Sequence, residues 1–105
     1  MHALLERRAN IEATDSTGGT ALVVAASNGK EAIVQLLAKR GANVEASDNY
    51  GRTALVVAAI NGMEAVVQLL LERGANIEAL DNYGRTALVG AASNRKEVVV
   101  QLLLE

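Results

Sequence analysis

Asp48-Asn49-Tyr50-Gly51-Arg52-Thr53 returns as Asp81-Asn82-Tyr83-Gly84-Arg85-Thr86, and a looser copy, Asp15-Ser16-Thr17-Gly18-Gly19-Thr20, stands before both. The spacing is 33 residues each time, and residues 42–72 share 24 of 31 positions with residues 75–105. A fixed period of that length is the signature of repeat architectures, in which one unit cannot bury its apolar face alone. The fold is therefore read from one unit and then multiplied.

In the middle unit, Asp48 to Gly51 is turn chemistry. Thr53 is placed to cap a helix through Ala54-Leu55-Val56-Val57-Ala58-Ala59, whose paired alanines let a neighbouring helix come close. Asn61-Gly62 ends that helix, because both residues tolerate the left-handed region. A second helix is predicted from Glu64 to Glu72, with Val66, Val67, Leu69 and Leu70 as its buried stripe and Glu64, Gln68 and Glu72 as its wet face. Gly74 stands where a C-cap glycine belongs, and Ala75 to Ala79 is an extended connector. Neither helix is long enough to be stable alone, so the units must stack.

The unit resembles the ankyrin repeat. Thr20-Ala21-Leu22-Val23-Val24-Ala25 and its two copies align with that family's Thr-Pro-Leu-His-x-Ala, and Val66 to Leu71 and Gly74 to Glu78 match its later stretches. The resemblance covers the whole chain. It implies an all-α fold, an ankyrin-type α-solenoid of stacked helix-turn-helix units with protruding loops or β-hairpin turns. It also implies one ankyrin repeat domain over 1–105, divided into a half-repeat 1–14, repeats 15–47 and 48–80, and a truncated repeat 81–105.

The departures are informative. Ala21, Ala54 and Ala87 hold the family's proline position, and Val23, Val56 and Val89 its histidine position. That histidine joins a threonine-centred hydrogen-bond network in the family. Valine cannot, so order between repeats is expected to lean on aliphatic packing. Asn76 and Glu78 replace the family's loop Asp and Asn, as in every copy. Such uniformity points to recent duplication or to a consensus-like, engineered design. Arg8 stands in the C-cap glycine position of Gly41 and Gly74, and Arg95 in the inter-helix position of Gly29 and Gly62. A left-handed non-glycine residue costs about 1 kcal/mol, so the terminal units are expected to fray more than the middle one.

Met1 to Arg7 reads as a second helix without its first, and Val98 to Glu105 as a second helix without a successor. Neither end carries the polar capping unit that arrays normally use. Two compatible expectations are a fragment of a longer array and a homo-oligomer formed end to end through uncapped terminal repeats. The second makes association sensitive to polar substitutions at Val99 and Leu102.

Ten basic and twelve acidic residues give a net charge of −2, with no basic stripe. That argues against nucleic acid and against an anionic membrane as partners. No apolar run is long enough to span a bilayer. Cysteine is absent, so neither disulfides nor thiolate metal sites are available, which fits a reducing intracellular and cytoplasmic setting. The one histidine, His2, has no partner cluster, and the scattered serines have no base beside them. The expectation is no enzyme, no metal and no cofactor. Asp15, Asp48 and Asp81 are read as turn acceptors, and Glu31, Glu64 and Glu97 as residues that suit the helix dipole.

The family resemblance places partner recognition on a concave surface of loop tips and first helices. Carried onto this chain, the tips are Ser16, Thr17 and Gly19, then Asn49, Tyr50 and Arg52, then Asn82, Tyr83 and Arg85. The helices contribute Ser27 and Asn28, Ile60 and Asn61, and Ser93 and Asn94, with Leu80 as an apolar neighbour of the third turn. Tyr and Arg are favoured interface anchors, so the repeated Tyr-Gly-Arg offers two equivalent ones. The plainer alternative is that both tyrosines pack on neighbouring loops and stiffen them. The function expected is a protein–protein interaction or scaffold module, with a self-assembling or structural array that has no evolved ligand as the alternative.

Overall fold

The computed structural model describes residues 9–105; the half-repeat helix expected over Met1 to Arg7, with His2 and Arg8, lies outside them. Six helices follow in three pairs: α1 (Ala21–Ser27) with α2 (Glu31–Lys39), α3 (Ala54–Asn61) with α4 (Glu64–Glu72), and α5 (Ala87–Ser93) with α6 (Glu97–Leu104). First helices stack as α1, α3, α5 and second helices as α2, α4, α6. Each first helix starts because Thr20, Thr53 or Thr86 accepts the N–H three residues on, at 3.3 Å in all three. The second helices have no side-chain cap and begin instead with Glu31, Glu64 and Glu97, which complement the positive helix end.

The core is aliphatic and centred on α3. Ala54 to Ala59 are all buried, since α1 covers one side of that helix and α5 the other. Val66, Val67 and Leu70 continue the core on α4, while Leu69 is only partly covered. Val56, in the family's histidine position, is buried among these residues, as aliphatic packing requires. Polar ties also cross between units. Glu12 Oε2 accepts from Asn43 N and Glu45 Oε2 from Asn76 N, both at 2.8 Å. The loop glutamates thus link one connector to the next.

Gly51 shows why the turns need glycine. It sits at φ +75°, and a Cβ there would strike the Asn82 side chain and come within 2.8 Å of the Asn82 backbone N. The protruding turns are not β-hairpins with strands. They hold isolated antiparallel bridges, Thr14 with Thr20 and Ser47 with Thr53, and among the described residues none joins Leu80 to Thr86. Each turn is closed by its aspartate, and that leaves too few paired residues for a strand.

Arg95 adopts φ +61°, the conformation that Gly62 takes at φ +72° one unit earlier. Arg95→Gly is therefore expected to raise stability, by up to ~1 kcal/mol once the added chain entropy of glycine is subtracted. A melting temperature higher by a few degrees is the expected reading, and a lower one would show that the left-handed strain is already relieved.

Candidate partner-binding surface

In the second and third turns the working part is built outward from a buried carboxylate, whereas Asp15 of the first turn is exposed. Asp48 Oδ1 accepts from Tyr50 N at 2.9 Å and from Arg52 N at 3.0 Å. Its Oδ2 accepts from Arg52 Nε at 3.0 Å and pairs with Nη2 at 2.9 Å. The same guanidinium lies 5.0 Å from the centroid of the Tyr50 ring. Asp81, Arg85 and Tyr83 repeat the arrangement, with both Oδ2 contacts at 2.9 Å and the ring at 5.2 Å. Each arginine is thus held between an ion pair and an aromatic face. The rings remain open to solvent, 49% exposed at Tyr50 and 71% at Tyr83. They stack on their own arginines.

Backbone bonds set the turns side by side. Asn49 N donates to Thr17 O and Asn82 N to Tyr50 O, each at 2.9 Å, and Asn82 Nδ2 adds a bond to Asn49 O at 3.0 Å. The helix-end candidates are more tied down than the sequence suggests. Asn61 Nδ2 donates back to Ser27 O, and Asn94 Nδ2 to Gly90 O in its own helix. Ile60 is partly buried against the position of Gly90, whereas Leu80 and Ser93 are exposed. Tips and helices line a common groove between the first two units, roughly 200 Å³ in volume, bounded by Asp15, Thr17, Val24, Ser27, Arg52 and Val57 among others. Of the candidates, Thr17, Gly19, Ser27, Asn28 and Arg52 line this groove. Glu12 and Glu45 also tie neighbouring units together, and their recurrence every 33 residues is the sequence signal for it.

Two turn carboxylates are held below the usual carboxylate range. Burial opposes ionisation of Asp81, but the Arg85 backbone N–H, the Arg85 guanidinium and the Tyr83 N–H outweigh it. Asp15 is lowered by the Thr17 hydroxyl, then by the Gly19 and Thr17 N–H groups. A carboxylate with a depressed folded pKa stabilises the protein fully above its unfolded pKa and loses that contribution as pH falls through the folded value. The urea midpoint is therefore expected to fall as pH drops from about 5 to about 3. Asp81→Asn should flatten that decline, and an unchanged slope would show that Asp81 does not carry it.

A row of helix pairs bearing repeated, rigid Tyr–Arg turns defines the class: a helical repeat array. The family model for ankyrin repeats in three copies matches residues 1–81, and the chain belongs to the ankyrin repeat family. A search of curated proteins finds no match to the chain. Ankyrin repeats are generally protein–protein interaction modules and are typically not enzymes. Among the described residues no helix is long and apolar enough to cross a membrane, and no group of three or more His, Asp or Glu side chains is placed to hold a metal ion.

Proposed function

We propose that the chain binds a partner protein through its loop tips and first helices, with Tyr50, Arg52, Tyr83 and Arg85 as anchors. Asn49, Asn82, Leu80, Ile60, Asn61, Ser93 and Asn94 form the surround. The observation that carries this reading is the pair of exposed rings, each braced by a guanidinium that is itself fixed to a buried carboxylate. Such side chains lose little freedom on binding, and this lowers the entropic cost of an interface. Tyr50→Ala with Tyr83→Ala is expected to weaken capture of a partner at least tenfold, as anchors worth about 2 kcal/mol do. Circular dichroism should be unchanged, because the rings are outside the core. Undiminished capture by the double variant would remove these residues from the interface.

One observation favours a second reading, a self-assembling array. Val89 is 50% exposed although its counterpart Val56 is 1% exposed, and Leu104 is 68% exposed. Under it the associating surface would involve Val89 and Leu104, not Val99, which lies in the core, or Leu102, which is partly buried. Under this reading Val89→Ser would change the association state and the tyrosines would be irrelevant.

A further inference from the structure

The first turn has the same backbone as the other two but lacks their arginine. Asp15 Oδ1 accepts from Thr17 N at 2.9 Å and Gly19 N at 3.0 Å, the same bonds that Asp48 Oδ1 makes to Tyr50 N and Arg52 N. Asp15 N also donates to Gly19 O at 3.0 Å, as Asp48 N does to Arg52 O. The difference begins at the next atom. In the second and third turns Oδ2 receives two bonds from an arginine. In the first turn that arginine is Gly19, and among the described residues Asp15 Oδ2 meets no donor.

An apolar surface lies beside the missing side chain. The Cβ that Gly19 lacks would lie 3.3 Å from Val24 Cγ2. Val24 is 39% exposed, whereas its counterpart Val57 is 2% exposed. Both Val24 and Asp15 line the roughly 200 Å³ groove between the first two units. Asp48 and Arg52 reach the same groove but neutralise each other at 2.9 Å, so the carboxylate of Asp15 is its uncompensated charge.

We infer that this groove seats an arginine side chain supplied by the partner protein, its methylenes on Val24 and its guanidinium on Asp15 Oδ2. The inference rests on the reading of the tip side as the binding surface. The occupant is chosen by the two sibling turns, which show what this pocket holds when it is filled. A planar guanidinium reaches the carboxylate through two nitrogens, as Arg52 does through Nε and Nη2, and a lysine ammonium is a single point charge that cannot reproduce that. Bound there, the incoming arginine would extend the Arg52 and Arg85 row by one repeat.

The test is a titration of the whole chain with N-acetyl-arginine amide, followed through the amide resonances of Thr17 and Gly19. N-acetyl-lysine amide, run to the same concentration, controls for charge and ionic strength. Saturable shifts with a severalfold lower dissociation constant for arginine are expected. They should be lost in Asp15→Asn, and lost again in Gly19→Arg, where the seat is filled from within. Equal response to the two amides, shifts that persist in either variant, or no saturable shift in the wild type would each overturn the inference. Should Gly19→Arg not fold, Asp15→Asn decides alone. The titration does not involve Tyr50 or Tyr83, so Tyr50→Ala with Tyr83→Ala should leave it intact. Failure here leaves the tyrosine-dependent reading standing, and failure of that reading leaves the titration unchanged.

Discussion

Leu70→Ala is expected to destabilise the array by about 2–5 kcal/mol, a large part of the roughly 5–15 kcal/mol that holds a small domain folded. Leu70 is fully buried on α4, the helix that α2 and α6 flank on either side. Truncating it leaves a cavity in the middle unit, on which both neighbours depend. In an array stabilised by nearest-neighbour contacts, damage there disconnects the two ends. Urea unfolding followed by circular dichroism measures the effect as a lower midpoint. Leu36→Ala is the internal comparison: Leu36 stands on the exposed side of α2, and its removal should change stability by no more than about 0.5 kcal/mol. Equal effects at the two leucines would mean that the second helices are not packed as described.

Gly90→Val should cost about 1–3 kcal/mol, an overpacking effect, although valine is found at the same place in the other two first helices. The reason lies one unit back. A Cβ on Gly90 would stand 2.7 Å from Ile60 Cγ1 and 3.3 Å from Cδ1. Ile60 in turn replaces the serine found as Ser27 and Ser93. A large residue in one helix is thus matched by the missing side chain in the next. Ile60→Ser combined with Gly90→Val restores the residue types found at Ser27 and Val57 one unit earlier and should recover most of the loss. A coupling of about 1–2 kcal/mol in the double-mutant cycle is expected. Simple additivity would show that the two sites do not touch.

The features legible in the sequence were those that repeat within a unit. Thr53 as a cap, Gly62 as a break and the Val66–Leu70 stripe all depend on neighbours within a few residues, where spacing alone fixes geometry. The turn aspartates were legible as backbone acceptors for the same reason. What escaped were contacts made between units. Glu45 reaching Asn76, Asn61 reaching Ser27 and Ile60 facing Gly90 join residues about a period apart, and only the stacking angle brings them together. The ion pairs that fix Arg52 and Arg85, each with its Nε and Nη2 bound to an aspartate four residues back, have no signal in spacing alone. The sequence placed them on the right turn but could not give the direction of the side chain. Val99 is buried rather than available for association, since α6 turns one face toward its own unit.

The most direct measurement is molar mass by light scattering behind size-exclusion chromatography, over two orders of magnitude in protein concentration. If the free surface of this array is meant for a different protein, the mass stays at 11.0 kDa throughout. A mass that climbs with concentration, and falls back in Val89→Ser, would contradict that and make self-assembly the chain's function.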